Sequence, residues 1–240
     1  AWGDSFESYV GEVLDKAVDK QKLKIIPKSS YSIKKGVSRE TPDWALIGDA
    51  VLFLECKTKR ITVGAVQELN FVKLGEQLDK MVEFIVQVYK AINEYRKDLY
   101  PNLKYSDNKD KQIFPLVVTL EDWFLFGGDV LGELDSRIKK RFSQEGLSTK
   151  WLKEMPYSIC SVQDLEKLTQ VISSVGIRKV LGKKVFDSDK NLWAFNSFLG
   201  TVFPEEYSKV VFLFEKDFEN IFPDEVREAR KLRQRISQSW

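Results

Sequence analysis

The chain reads as an α/β fold, a mixed β-sheet flanked by helices. Three observations carry this. An amphipathic stripe opens the chain, short apolar runs of strand length follow, and long helical stripes separate later runs of the same kind. Residues 1–175 form the predicted core. Residues 176–240 form a mostly helical C-terminal extension packed on it.

Phe6, Val10, Val13, Leu14 and Ala17 recur at helical spacing, which predicts a helix over residues 4–20, capped by Asp4 or Ser5. Residues 23–34 read as extended, interrupted at Pro27, and Lys34-Lys35-Gly36 signals a turn. Trp44 to Ile47 and Ala50 to Leu54 are apolar strand runs, with Gly48-Asp49 between them as a two-residue hairpin turn. A helical stripe over residues 65–98 includes Leu69, Val72, Leu78, Met81, Phe84, Val88 and Ile92, with Gly75 as a point where it splits. Residues 101–112 are polar and read as a loop. Ile113 to Leu120 reads as a buried strand despite Pro115. A helix over 129–145, a strand over 157–161 and a helix from Gln163 to Ser173 complete the core, and a charged helix from Asp224 to Ser237 ends the chain.

Composition narrows the chemistry. The chain has no histidine, so Ser-His-Asp triads, Cys-His dyads and histidine-based zinc sites are excluded. Its two cysteines, Cys56 and Cys160, are too few for a disulfide framework and are expected to be reduced, in a cytoplasmic protein. No apolar run is long enough to span a bilayer, and no signal peptide is recognisable. The first residue is Ala1 and not methionine, so a trimmed chain or part of a longer multidomain chain is expected. A formal net charge of +2 leaves nucleic-acid binding to local basic patches. Chemistry here has to rest on carboxylates, lysine, hydroxyls and a hard metal.

Alternation along the second strand puts Val51, Phe53, Glu55 and Lys57 on one face. The turn brings Asp43 roughly opposite Leu54 and Glu55, and one extra residue sets it beside Glu55. Charges at the end of such an apolar run need a partner or a metal. Two converging carboxylates suit Mg²⁺, which takes oxygen ligands and keeps several waters.

Pro42-Asp43, then eleven residues, then Glu55-Cys56-Lys57 resembles the motif of the PD-(D/E)XK, or restriction-endonuclease-like, nucleases. Members share a helix, a β-hairpin bearing the motif, a further helix and further strands. The resemblance implies Mg²⁺-dependent hydrolysis of phosphodiester bonds, with Mn²⁺ able to substitute. It implies metal binding by Asp43, Glu55 and the Cys56 carbonyl, with Lys57 orienting the attacking water or taking its proton. Glu7, on the inward stripe of the first helix, takes the place of the helix glutamate that many members direct at the metal. DNA rather than RNA is the expected polymer, bacterial defence or restriction the expected setting, and a homodimer the assembly suited to double-strand cutting.

Lys59 and Arg60 continue the motif strand and are expected to meet the nucleic-acid backbone. Gln77 is a further candidate for a phosphate, although Met81 stands where a Gln-x-x-x-Tyr motif has tyrosine. The basic run at Arg178, Lys179, Lys183 and Lys184 reads as a solvated face, and the basic helix with Arg227, Arg230, Lys231, Arg233 and Arg235 as a contact for a phosphate backbone or a partner interface. Two other readings stand beside the nuclease: a surface ion-pair cluster at a hairpin end, and a nuclease-fold module that has lost catalysis and binds nucleic acid or a protein.

Overall fold

Helical spacing of apolar residues builds α1 (Trp2–Ala17), whose Phe6, Val10, Val13 and Leu14 are buried. The computed structural model describes residues 2–34, 36–59, 71–123, 128–221 and 228. β1 (Lys24–Pro27), β2 (Ser30–Lys34), β3 (Val37–Glu40), β4 (Trp44–Ile47) and β5 (Val51–Lys57) follow. Then come α2 (Phe71–Tyr95), β6 (Ile113–Thr119), α3 (Gly128–Gln144), α4 (Trp151–Glu154), β7 (Ser158–Ser161) and α5 (Val162–Val175).

Five strands form one mixed sheet in the order β1-β4-β5-β6-β7. β1, β4 and β5 pair antiparallel, and β5, β6 and β7 pair parallel. The helix, motif hairpin, helix, strand order is the one expected from the sequence. β2 and β3 make a separate hairpin that turns at Gly36, whose φ of +81° suits a residue without Cβ. β3 is not expected from the sequence: its Val-Ser-Arg-Glu run is polar and mostly exposed, so it carries no strand periodicity.

Helices cover both faces of the sheet. α2 packs on β5 and β6 and against α3, while α1 packs on β5 and α5 on β6 and β7. That double cover explains why β5 is buried from Val51 to Cys56 and β6 along its whole length, as continuous apolar runs and not alternating ones. β6 keeps its register through Pro115, which lies opposite Phe53. α2 also runs unbroken through Gly75. A glycine there costs about 1 kcal/mol against alanine, which the buried face from Leu78 to Tyr95 offsets. Arg137 of α3 donates to the Gly75 carbonyl at 3.2 Å and to Asp79 at 2.6 Å, tying the two helices.

Beyond α5 come α6 (Ile177–Val185), a 3-10 turn (Lys190–Leu192), α7 (Phe195–Val202) and α8 (Pro204–Tyr207). α6, α7 and α8 pack on α5. The chain divides into two compact units, residues 1–209 and 210–240, so these helices belong with the sheet. The second unit includes α9 (Glu215–Ile221). Apart from residue 228, which is helical, the helix expected over 224–237 lies outside the described residues. Lys184 departs from the solvated face expected of its run. It is 3% exposed, and its ammonium donates to the carbonyls of Lys190 and Asn191 at 2.8 and 2.7 Å. Burial lowers its pKa to about 8. Among the described residues, no helix is long and apolar enough to cross a membrane.

The β4–β5 turn is tied down from afar. Asp49 accepts hydrogen bonds from the backbone N–H groups of Ile177, at 2.9 Å, and Arg178, at 3.3 Å. It thus satisfies orphan donors at the start of α6, which its own N-cap residue, Gly176, cannot cap by side chain. Asp49→Ala is expected to lower unfolding free energy by about 1 kcal/mol, as loss of a helix cap does. Urea denaturation measures this, and an unchanged midpoint would remove the cap from the account.

Candidate active site

Register decides the geometry. Ile47 pairs with Val51 and Trp44 with Leu54, so the turn holds three residues, Gly48, Asp49 and Ala50, and not two. The extra residue moves Asp43, one step before Trp44, directly opposite Glu55. On the other side Pro27 pairs with Trp44, and the Lys28 N–H donates to the Asp43 carbonyl at 2.9 Å. Lys28, Asp43 and Glu55 therefore stand on one rung across β1, β4 and β5.

Packing holds the rung rigid. Leu54 and Phe53 beside it are fully buried. The Trp44 ring lies against Gly11 of α1, where a Cβ would come within 2.4 Å of it, and its indole N–H donates to the Glu7 carbonyl at 3.0 Å. α1 is thereby locked onto the motif hairpin, with Glu7 facing the rung.

Asp43 and Glu55 are buried, 7% and 2% exposed. Asp43 Oδ2 accepts the Cys56 N–H at 2.7 Å. Glu55 Oε1 accepts from the Lys57 ammonium at 2.6 Å and from the Gln87 amide of α2. Among the described residues, the other oxygen of each carboxylate accepts no hydrogen bond. Burial, reinforced by the neighbouring Asp43 carboxylate and opposed by Lys57, raises the Glu55 pKa to about 7. Burial also raises that of Asp43, against the Cys56 N–H bond. Two carboxylates buried side by side repel each other when ionised, and each keeps an oxygen that accepts no hydrogen bond among the described residues, so the donor set fits a hard divalent cation. Lys57 also lies 5.4 Å from the centre of the Phe84 ring of α2, which fixes its stem.

Glu7 is placed differently from a direct ligand. Its carboxylate accepts from the Lys28 ammonium at 2.6 Å, and that ammonium stands 3.7 Å from Asp43 Oδ1 and 3.8 Å from Glu40. The Glu7 hydrogen bond is the main cause that raises the Lys28 pKa to about 12. Among the described residues, no three Asp, Glu, Cys or His side chains come together to hold a metal ion. Cys56 is a buried free thiol whose pKa burial pushes up, which suits a core residue. Cys56 lies on β5, between Glu55 and Lys57 in the chain.

Lys59 is exposed just past β5, and its carbonyl accepts the Trp123 indole N–H at 3.1 Å. Arg60 lies outside the described residues. Gln77 is on α2, and among the described residues its buried Oε1 has no hydrogen-bond partner. It lies ten residues before Gln87, about 15 Å along the helix. Gln87, which does touch Glu55, does not stand out in the sequence. Its one signal there is its place three residues after Phe84, at the edge of the buried stripe.

No family model matches the chain. No curated protein matches it either. Among solved structures, the chain is similar to the small subunit of the heterodimeric restriction endonuclease R.BspD6I, at 13% identity and a TM-score of 0.38, over 85% of this chain and 89% of that one.

Proposed function

We propose that this protein hydrolyses phosphodiester bonds in DNA with the help of a divalent metal ion, Mg²⁺ or Mn²⁺. The observation that carries this is the rung itself: two buried carboxylates directly opposite each other, each with an oxygen left to coordinate, and a lysine bonded to one of them. Asp43 Oδ1 and Glu55 Oε2, which accept no hydrogen bond among the described residues, would hold the ion, with the Cys56 carbonyl as a further ligand. Such an ion supplies an acidified water and positive charge for the phosphate.

The chain's own groups do the rest. The Cys56 N–H holds Asp43 in one rotamer, and Lys57 and Gln87 hold Glu55 from the other side. That leaves both carboxylates aimed without any rearrangement on binding. Lys57 is one-fifth exposed at the sheet end, so its ammonium can reach a substrate phosphate or the attacking water. Lys59, exposed on a carbonyl pinned by Trp123, would meet the nucleic-acid backbone. Restriction or defence against foreign DNA is the setting this chemistry suits.

Incubation with plasmid DNA and with structured RNA, in Mg²⁺, Mn²⁺ or EDTA, tests the proposal. Metal-dependent cutting of DNA is expected, ended by EDTA and reduced at least about a hundredfold in Asp43→Ala, since that variant loses a metal ligand. No cutting and no metal binding by calorimetry would sink the nuclease and leave a nucleic-acid-binding module.

A further inference from the structure

We propose that the Lys28 ammonium is a built-in cation beside Asp43, so that the chain takes one divalent ion and not two, and that Glu7 holds Lys28 and not a second ion. This rests on the nuclease reading of the rung. A second ion near Asp43 would draw on Glu7, the α1 carboxylate bonded into this cluster. Yet Glu7 already accepts from Lys28 at 2.6 Å, and the same ammonium faces Asp43 Oδ1 at 3.7 Å and Glu40 at 3.8 Å. Magnesium binds oxygens at about 2.0–2.1 Å. An ion bridging Glu7 and Asp43 would have to take the space that the ammonium fills.

The position of Lys28 is not left to a flexible side chain alone. Its backbone N–H donates to the Asp43 carbonyl at 2.9 Å, which extends the β1–β4 ladder by one residue. Its side chain is about one-third exposed. The ammonium is thus registered to Asp43 by the sheet and steered by Glu7. A fixed ammonium supplies positive charge there without the dehydration that a second magnesium ion resists. Lys28 would accordingly be a positioning and charge-supplying residue: it sets the metal count at one and offers a cation to the phosphate held by the Asp43–Glu55 ion.

Metal stoichiometry reads this directly, with no substrate present. Calorimetric titration with Mn²⁺ is expected to give one ion per chain for wild type, for Lys28→Arg and for Glu7→Gln, and two for Lys28→Met. Lys28→Gln serves as a second neutral variant, and circular dichroism checks that each is folded. Two ions in wild type would overturn the proposal while leaving the nuclease reading intact. So would a single ion in both folded neutral variants, or loss of one ion in Glu7→Gln. No ion bound by wild type would instead sink the nuclease reading, and this inference with it.

Discussion

Lys57→Ala is expected to bind Mn²⁺ at pH 8 with wild-type stoichiometry and to cut DNA about a hundred to ten thousand times more slowly, the range that one acid–base group contributes. The separation follows from geometry. Lys57 gives no oxygen, so the ligand set is intact without it. Its ammonium sits 2.6 Å from Glu55 Oε1, the oxygen that Gln87 also serves, which leaves the other oxygen to the ion. Lys57 also lowers the Glu55 pKa. Its loss leaves that carboxyl more readily protonated, which is why metal binding is to be compared at pH 8. Lys57→Arg keeps the charge but not a titratable amine, because guanidinium stays protonated. Recovery of cutting in Lys57→Arg would assign the residue to charge and positioning. No recovery would fit proton transfer. Wild-type rates in Lys57→Ala would remove the residue from the chemistry altogether.

Much of this site is legible in the chain because strand alternation and a short turn are local. Glu55 and Lys57 share a face by period, and Asp43 lies near them for any tight turn between the strands. The last step is a matter of one residue. Ala50 is apolar and fully buried, so it reads as strand, yet it belongs to the turn and shifts the register that sets Asp43 against Glu55. Lys28 and Gln87 are not legible for a different reason. Nothing within a few residues of Lys28 marks it, and Gln87 has only its place three residues after Phe84. Each reaches the rung only through long-range packing, Lys28 by the pairing of β1 with β4, Gln87 by the seat of α2 on β5. Glu7 shows the complementary limit. Helical spacing correctly turns it inward, but periodicity says nothing of what it meets there, which is an ammonium.

Glu55→Gln is expected to make the metal-free protein more stable at pH 8, by on the order of 1–3 kcal/mol, while abolishing the stabilisation that Mg²⁺ gives wild type. The carboxyl ordinarily titrates at 4.5 and in the fold at about 7. Below pH 4.5 it is protonated in both states and contributes nothing. Between these values the unfolded chain has lost the proton and the folded chain keeps it. The unfolded state then binds fewer protons, so stability falls as pH rises. Above about pH 7 the group is ionised in both states, and the cost is complete. A tenfold change in proton affinity is worth about 1.4 kcal/mol. The rise from 4.5 to about 7 therefore costs the fold on the order of 3 kcal/mol. The amide retains part of that as its own burial cost. It can still accept from Lys57 and Gln87 at the same oxygen. Its NH₂ group takes the place of the oxygen left for the metal. Melts of both proteins across pH 5 to 8, with and without Mg²⁺, separate the alternatives. The two curves should converge near pH 5, diverge toward pH 8 with the variant above, and cross back when Mg²⁺ lifts wild type alone. A variant less stable than wild type at pH 8 without metal would mean that Glu55 is a structural ion-pair partner of Lys57. In that case the buried carboxylates would not be a site kept at a cost to the fold for the ion they bind.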